Sequence, residues 1–445
     1  MRQELELTTE KMAFEGRAIA RQNRFVIFVD GALPGEKVRA IITLRKRRHA
    51  YARVTGILEP SPHRRAAPCP VFGDCGGCAF QQMDYAAQIR MKRDVLAESL
   101  HGVPGLPGCI GEIIGAESPF HFRNKMGFAF GVHGGQPVIG LHRRGDWRGI
   151  VDARDCLLQS PESNEILRRV LRFATEHRIP VFDDETGEGC LRHVVVREGK
   201  HTGERMVHLH AAVPHPAIEE MPAVLDALCT TFLASYHEKA PEEAPEDRTF
   251  VLAGSGLIHE RLNGLLFEIG PATFFQTNTR QAERLFSLIA DIARPLRPKV
   301  AVDLYAGTGP IAMHLSPVAE RVLGIESNEA SVARARRNIE INGLRNVEVC
   351  CIEAEKTPAS VFPNPCDLVV VDPPRPGLHR RAMESVVAAR PRSLVYVSCN
   401  PATLARDLKL FVEAGFSLVS VQPLDMFPHA FHIEAVATLH GAGNA

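Results

Sequence analysis

The sequence predicts an α/β protein in which a doubly wound parallel sheet fills the carboxyl-terminal part, behind a mixed α/β region and a small amino-terminal β-barrel. From about residue 266, short apolar runs alternate with stretches of helical periodicity, the pattern of a sheet covered by helices. There Ala301-Val-Asp-Leu-Tyr305 runs into Ala306-Gly-Thr-Gly-Pro310, a strand followed by a glycine-rich turn and a helix start. Residues 1–60 differ: β-branched runs at 25–29 and 38–42 are split by Asp30-Gly31 and Pro34-Gly35, and a third run covers 51–57. A chain of 445 residues has room for about three domains, expected at 1–60, 61–265 and 266–445.

The barrel carries Arg45-Lys-Arg-Arg48 between two of its strands, which suits contact with a nucleic acid backbone or a solvated hairpin tip. Pro60-Ser-Pro62 and residues 64–68 mark a linker. Next stands Cys69-Pro-Val-Phe-Gly-Asp-Cys75-Gly-Gly-Cys78, whose glycines let the backbone fold tightly around three thiols. That is the local geometry of a thiolate-bound four-iron cluster or a zinc site. The fourth ligand would come from Cys109, Cys156, Cys190 or Cys229, and spacing does not choose among them. Runs at 128–130, 138–141 and 194–196 read as strands and 165–176 as a helix. Phe122-Arg-Asn-Lys125 sets two cations beside an aromatic ring, as a phosphate contact or a surface turn would. Residues 238–247, acidic and proline-bearing, read as a flexible loop.

The last region carries the chemistry. Gly307 and Gly309 let the backbone approach a ligand while the following helix offers its amino-terminal amides, as NAD sites also do. The strand 322–326 ends in Glu326, placed to accept from a ribose. A helix over 328–341 and a strand from 347 follow. Residues 367–372 form a strand ending in Asp372 and a stiff proline pair. Leu394-Val-Tyr-Val-Ser-Cys399-Asn-Pro401 then puts a thiol at the carboxyl end of a strand, the edge where open α/β sheets bind ligands. Facing a helix amino terminus, such a thiol tends toward the thiolate; a buried cysteine closing a strand is inert. A nicotinamide dehydrogenase has no evident need for it, whereas methyl transfer to a poor carbon nucleophile does.

Composition excludes fibrous and disordered classes, with 45% hydrophobic and 23% charged residues. No stretch approaches the roughly 18 apolar residues of a membrane span, and the start lacks an apolar signal segment, so a cytoplasmic protein is expected. Residues 1–65 hold 14 basic and 7 acidic side chains, although the whole chain balances 52 against 52. A basic module on an acidic body suits a polyanionic partner. Eleven cysteines without regular spacing point to metal or catalytic use rather than a disulfide framework.

The chain resembles the S-adenosylmethionine-dependent RNA uracil-C5 methyltransferases, which form 5-methyluridine. The resemblance spans nearly the whole length and rests on motifs in the family's order. They are Phe274-Phe-Gln276-Thr-Asn278, Asp303-Leu-Tyr-Ala-Gly307-Thr-Gly309, Asp372-Pro-Pro-Arg-Pro-Gly377, Ser398-Cys-Asn-Pro401 and Phe427-Pro-His-Ala-Phe-His-Ile-Glu434. It implies a Rossmann-like class I methyltransferase domain, an OB-like RNA-binding (TRAM) barrel, and a central domain with a 4Fe-4S cluster on Cys69, Cys75, Cys78 and Cys156. Having both barrel and cluster resembles the 23S ribosomal RNA branch, because the bacterial tRNA enzyme of the family is shorter and lacks both. The family's usual cysteine in the nucleotide loop is Ala306 here.

The resemblance further implies Cys399 as nucleophile on carbon 6 of uracil and Glu434 as the base that removes the carbon 5 proton. Without it, Glu434 reads as a surface carboxylate, with His429 and His432 as rival bases. For S-adenosylmethionine it implies Glu326 at the ribose, Tyr305 and Pro310 flanking, Glu353 near the adenine and Gln276 near the methionine part. Asp303, Gly307 and Gly309 complete that site, Asp372 lies between cofactor and base, and Arg123 holds the displaced nucleotide. The expected partner is RNA, 23S ribosomal or transfer, bound by a monomer. A non-catalytic RNA-binding protein and a nicotinamide oxidoreductase are the alternatives.

Overall fold

The structure, a computed structural model, describes residues 4–237, 248–362 and 366–441. The acidic segment 238–247, expected to be a loop, lies outside the described residues. Strands β1 (Glu4–Met12), β2 (Ala18–Gln22), β3 (Phe25–Asp30), β4 (Lys37–Arg45) and β5 (His49–Glu59) close into a barrel in the order β1-β2-β3-β5-β4. Its interior is filled by small and β-branched side chains, Ala18, Ala20, Val29, Val38, Ala40 and Ala52. Such small fillers suit so narrow a barrel. The basic run at 45–48 forms the exposed tip between β4 and β5.

Helix α1 (Tyr85–Ser99) follows the thiol-rich loop and starts at Asp84, whose carboxylate accepts from the Ala87 N–H. The central region adds β6 (Lys125–His133), β7 (Gln136–Arg143), β8 (Asp146–Asp152), α2 (Pro161–Glu176), β9 (Leu191–Glu198), β10 (Arg205–Ala211), β11 (Thr231–Tyr236) and β12 (Thr249–Ala253). These strands form one sheet, β12-β11-β10-β9-β6-β7-β8. Ile166, Leu167 and Val170 of α2 share a core with Phe128, Val194 and Leu209 on one sheet face.

A hairpin, β13 (Ile258–Leu262) and β14 (Leu265–Ile269), and α3 (Thr279–Ala293) precede the last sheet. That sheet is built from β15 (Val300–Leu304), α4 (Pro310–Leu315), β16 (Arg321–Glu326), α5 (Glu329–Ile341), β17 (Val347–Cys351), β18 (Leu368–Val371), α6 (Arg380–Ala389), β19 (Ser393–Ser398), α7 (Pro401–Glu413), β20 (Ser417–Leu424) and β21 (Glu434–His440). Strand order is β17-β16-β15-β18-β19-β21-β20, and β21 runs antiparallel to both of its neighbours. Strands β18 and β19 are buried throughout, which explains their unbroken apolar runs. The order reverses between β15 and β18, the switch point at which such sheets open a crevice. One apolar core runs from the barrel through Phe80 and α1 into β18 and β19.

Two features had no clear sequence signal. The apolar stripe of α1 is interrupted by Gln88 and Lys92, both buried, so its periodicity is masked. The β20–β21 pair lacks helices between its strands, unlike the alternation before it.

Candidate active site

Cys399 stands one residue past the end of β19. Because β21 is antiparallel, it begins where the parallel strands end, and the register pairs Ser398 with Ala435. Glu434, the residue before Ala435, therefore faces the position of Cys399. A parallel strand would have put its first residue at the opposite edge. Asp372 follows β18, the other neighbour of β19, and reaches the same edge.

The three groups shape one another's proton affinity. Burial pushes the Cys399 thiol up to about 11, the nearby Glu434 and Asp372 carboxylates push the same way, and the Arg375 guanidinium opposes them. The thiolate expected from the helix amino terminus is thus not the resting form. Locally, Pro401 has no N–H, and the Asn400 side chain accepts from the Ala402 N–H, so α7 spends this donor on its own cap. Glu434 is only 3% exposed, which overturns its reading as a surface carboxylate. Burial and the charge of Asp372 lift its carboxyl well above the usual range. Asp372 is lifted too, by desolvation.

The rival histidines do other things. His429 is buried, shares a contact with the Gln88 amide, and stacks on Phe120 at 4.4 Å. Burial holds it down to about 4. His432 lies 3.2 Å from the Arg375 guanidinium and is likewise lowered to about 4, burial again leading. Arg123 lies over the Phe427 ring, its centre 6.0 Å away, with a buried Nε that has no partner among the described residues.

At the switch point the backbone turns sharply. Tyr305, Gly307 and Gly309 all have positive φ, at 73°, 55° and 85°, the region that favours glycine. A Cβ on Gly307 would meet nothing within 4 Å, so open space lies above it. The Gly307 N–H donates to Glu326 at 2.9 Å, which fixes that carboxylate at the end of β16. Asp303 is fully buried; one oxygen accepts from the Ala312 N–H and the other has no partner among the described residues, and desolvation raises it to about 8. Pro310 opens α4, and the Tyr305 phenol is raised to about 12 by burial. Gln276 is fixed through its carbonyl, which accepts from Asn124, while Glu353 pairs with Lys356. Among the described residues neither is hydrogen-bonded to the glycine loop. The crevice can cradle an extended ligand with a hydroxylated ring at Glu326.

Cys69, Cys75, Cys78 and Cys156 line one cavity together with apolar Val71, Phe72, Leu141 and Leu158. Cys109, Cys190 and Cys229 instead donate to backbone carbonyls of Gly105, Val213 and Thr231. Two N–H groups point at sulfur, Gly77 to Cys75 and the Gln81 amide to Cys78. Burial pushes the Cys78 thiol up to about 12, with the other thiols adding to it. In this structure the four thiols share that cavity without being drawn into a metal-ligand arrangement, and among the described residues no other group of three or more His, Cys, Asp or Glu is so arranged.

Residues 259–441 match the family described as tRNA (uracil-5-)-methyltransferase. An RNA methyltransferase of Clostridium tetani is 35% identical over 98% of this chain and 97% of its own length. One from Gloeobacter violaceus is 37% identical over 96% and 94%. The crystal structure of Pyrococcus abyssi tRNA (uracil-54, C5)-methyltransferase in complex with S-adenosyl-L-homocysteine is similar at a TM-score of 0.78 and 29% identity, over 98% of this chain and all of that one. The thiol and carboxylates gathered at one sheet edge thus belong to a chain whose likeness to RNA methyltransferases runs end to end. It is a member of the tRNA (uracil-5-)-methyltransferase family and an S-adenosylmethionine-dependent RNA (uracil-5-)-methyltransferase.

Proposed function

We propose that the enzyme methylates carbon 5 of a uridine in 23S ribosomal RNA through a covalent adduct on Cys399. The observation that carries the covalent part of this reading is the antiparallel register that sets Glu434 opposite Cys399, with Asp372 beside both; the ribosomal part is supported by the barrel and the four-cysteine cavity occurring together. The flipped uracil meets the thiol at carbon 6. Cys399 gives up its thiol proton to solvent as its sulfur bonds to carbon 6; the electron pair of the carbon 5–carbon 6 double bond shifts toward the ring carbonyl, so the ring becomes an enolate and carbon 5 a nucleophile. S-adenosylmethionine, when bound, would supply the methyl group to carbon 5, its methyl carbon–sulfur bond breaking to leave S-adenosyl-L-homocysteine. Glu434, its basicity raised by burial, then takes the carbon 5 proton; the electron pair reforms the ring double bond and expels the thiolate. Tyr305, Gly307, Gly309, Pro310 and Glu326 surround the methyl donor, with Asp303 under the loop and Asp372 toward the base. Gln276 and Glu353 are assigned to its two ends.

Cys69, Cys75, Cys78 and Cys156 would hold a 4Fe-4S cluster, which would serve as a staple, since the proposed reaction requires no electron. Their common apolar cavity, the N–H groups aimed at two sulfurs, and the charges of Arg144 and Arg123 near Cys75, Cys78 and Cys156 suit thiolate ligands. The exposed barrel tip is assigned to RNA. A transfer RNA substrate is the second reading, favoured by full-length similarity to the Pyrococcus abyssi enzyme.

Methyl-labelled S-adenosylmethionine with unmodified 23S ribosomal RNA and transfer RNA transcripts tests this. Label is expected in the ribosomal transcript, and Cys399→Ala is expected to abolish both transfer and trapping by 5-fluorouridine RNA. Label in transfer RNA alone refutes the ribosomal reading, and full activity of Cys399→Ala refutes the nucleophile.

A further inference from the structure

The segment that delivers Glu434 is gripped by a buried ion pair far from the reacting atoms in sequence. Residues 425–433 connect β20 to β21, and Leu424 and Glu434 pair across the base of this connection. Lys92, in the middle of α1, is 1% exposed, and its partner Asp425 is completely buried. The ammonium donates to Asp425 at 2.5 Å and to the Phe427 carbonyl at 2.9 Å. Asp425 also accepts from the Tyr85 hydroxyl at 2.8 Å.

One helical turn before Lys92, Gln88 holds the middle of the connection. Its side-chain oxygen accepts from the His429 N–H, and its amide donates to the Phe80 and Met83 carbonyls. His429 has a φ of 63°, unfavourable for a residue with a Cβ. Its carbonyl accepts from Ala79 and Phe80 N–H groups, at 2.7 and 3.1 Å.

A buried ion pair adds little stability over apolar side chains of the same volume, because both charges must be desolvated. What it provides is direction. Two donations from one ammonium fix residues 425 and 427 at defined points, and a strained backbone at 429 persists only where its surroundings determine it. We infer that Lys92 is a positioning residue for the methyl-transfer reaction: through Asp425 and the Phe427 carbonyl it sets the connection so that Glu434 reaches the carbon 5 proton of the adduct. This rests on Glu434 being the base.

The consequence is a selective fault. If Glu434 is displaced, thiol addition and methyl transfer proceed, but proton removal and release of the thiolate do not, so methylated RNA stays attached to Cys399. The double variant Lys92→Met/Asp425→Asn keeps volume, removes both charges and leaves an acceptor for Tyr85. It is assayed with whichever of the 23S and transfer RNA transcripts the wild type methylates. Expected are unchanged S-adenosylmethionine binding and thermal midpoint, unchanged trapping by 5-fluorouridine RNA, turnover lowered by roughly 10², and a denaturant-resistant enzyme–RNA adduct carrying the methyl group. Wild-type turnover without adduct overturns the inference, as does an equal loss of trapping and turnover. A lower thermal midpoint for the double variant assigns the pair to stability and overturns it too. Glu434→Gln is the control: if it accumulates no methylated adduct, the assignment of the base fails instead.

Discussion

A thiol must lose its proton before it adds to uracil, and Cys399 sits where that loss is costly. Burial and two carboxylates disfavour the thiolate, and Arg375 is the opposing charge. An ordinary thiol near 8.5 has levelled off in alkylation by pH 9.5; Cys399, held at about 11, has not. Iodoacetamide labelling of the free enzyme, followed at the Cys399 peptide, is therefore expected to climb about tenfold per pH unit through pH 9.5. Glu434→Gln removes a like charge and moves the curve to lower pH, and Arg375→Gln moves it higher. A plateau near pH 8.5 in the wild type contradicts this electrostatic picture. Spacing could not supply it, because the carboxylates come from strands far apart in sequence.

Among the elements, those with local signals were legible: the β-branched runs at residues 25–29 and 38–42, the glycine turn after β15, and the strand ending at Cys399. Elements defined by tertiary contact were not. Helix α1 hides behind Gln88 and Lys92, and the antiparallel β21 that brings Glu434 to the edge occupied by Cys399 has no periodic mark of its direction. The face of the central sheet opposite α2 was equally silent. There His193 and His210 stack at 4.0 Å, His208 and His210 lie 4.0 Å apart, and His210 approaches His237 at 3.2 Å. Burial leads in lowering His193 to about 4, His208 to about 3 and His210 to about 2, and neighbouring histidines add to it. These folded values lie below the unfolded value of about 6.5. Stability is therefore intact above pH 6.5 and falls as acid protonates the unfolded chain but not the fold. For each of His208 and His210 the loss is on the order of 2 kcal/mol by pH 5. Urea midpoints measured from pH 8 to pH 5 should fall, and His210→Gln should flatten the decline; an unchanged midpoint to pH 5 means the imidazoles are not buried neutral.

Across the whole molecule, the barrel is docked rather than tethered. Its first turn places Gly16 against Phe80, where an added Cβ would lie 3.1 Å from the ring, and Phe14 meets Phe431 edge-on at 5.9 Å. Phe431 is two residues past His429 and three before Glu434, so the barrel abuts the segment that leads into Glu434. The tip between β4 and β5 is free to meet RNA: Lys46, Arg47 and Arg48 are exposed and have no carboxylate partner among the described residues. Lys46 also lies 5.9 Å from the centre of the Tyr51 ring, which stacks on Phe28. Cations that neutralise phosphates release counterions, so their removal weakens binding and flattens its dependence on salt. The triple variant Lys46→Ala/Arg47→Ala/Arg48→Ala should bind RNA more weakly, with the slope of log K against log salt reduced by about 2 to 3 if all three meet phosphate. Binding of S-adenosylmethionine should not change, because the glycine loop after β15 is a separate surface. A salt slope equal to the wild type would make the tip a solvated turn and leave RNA recognition to other surfaces of the protein.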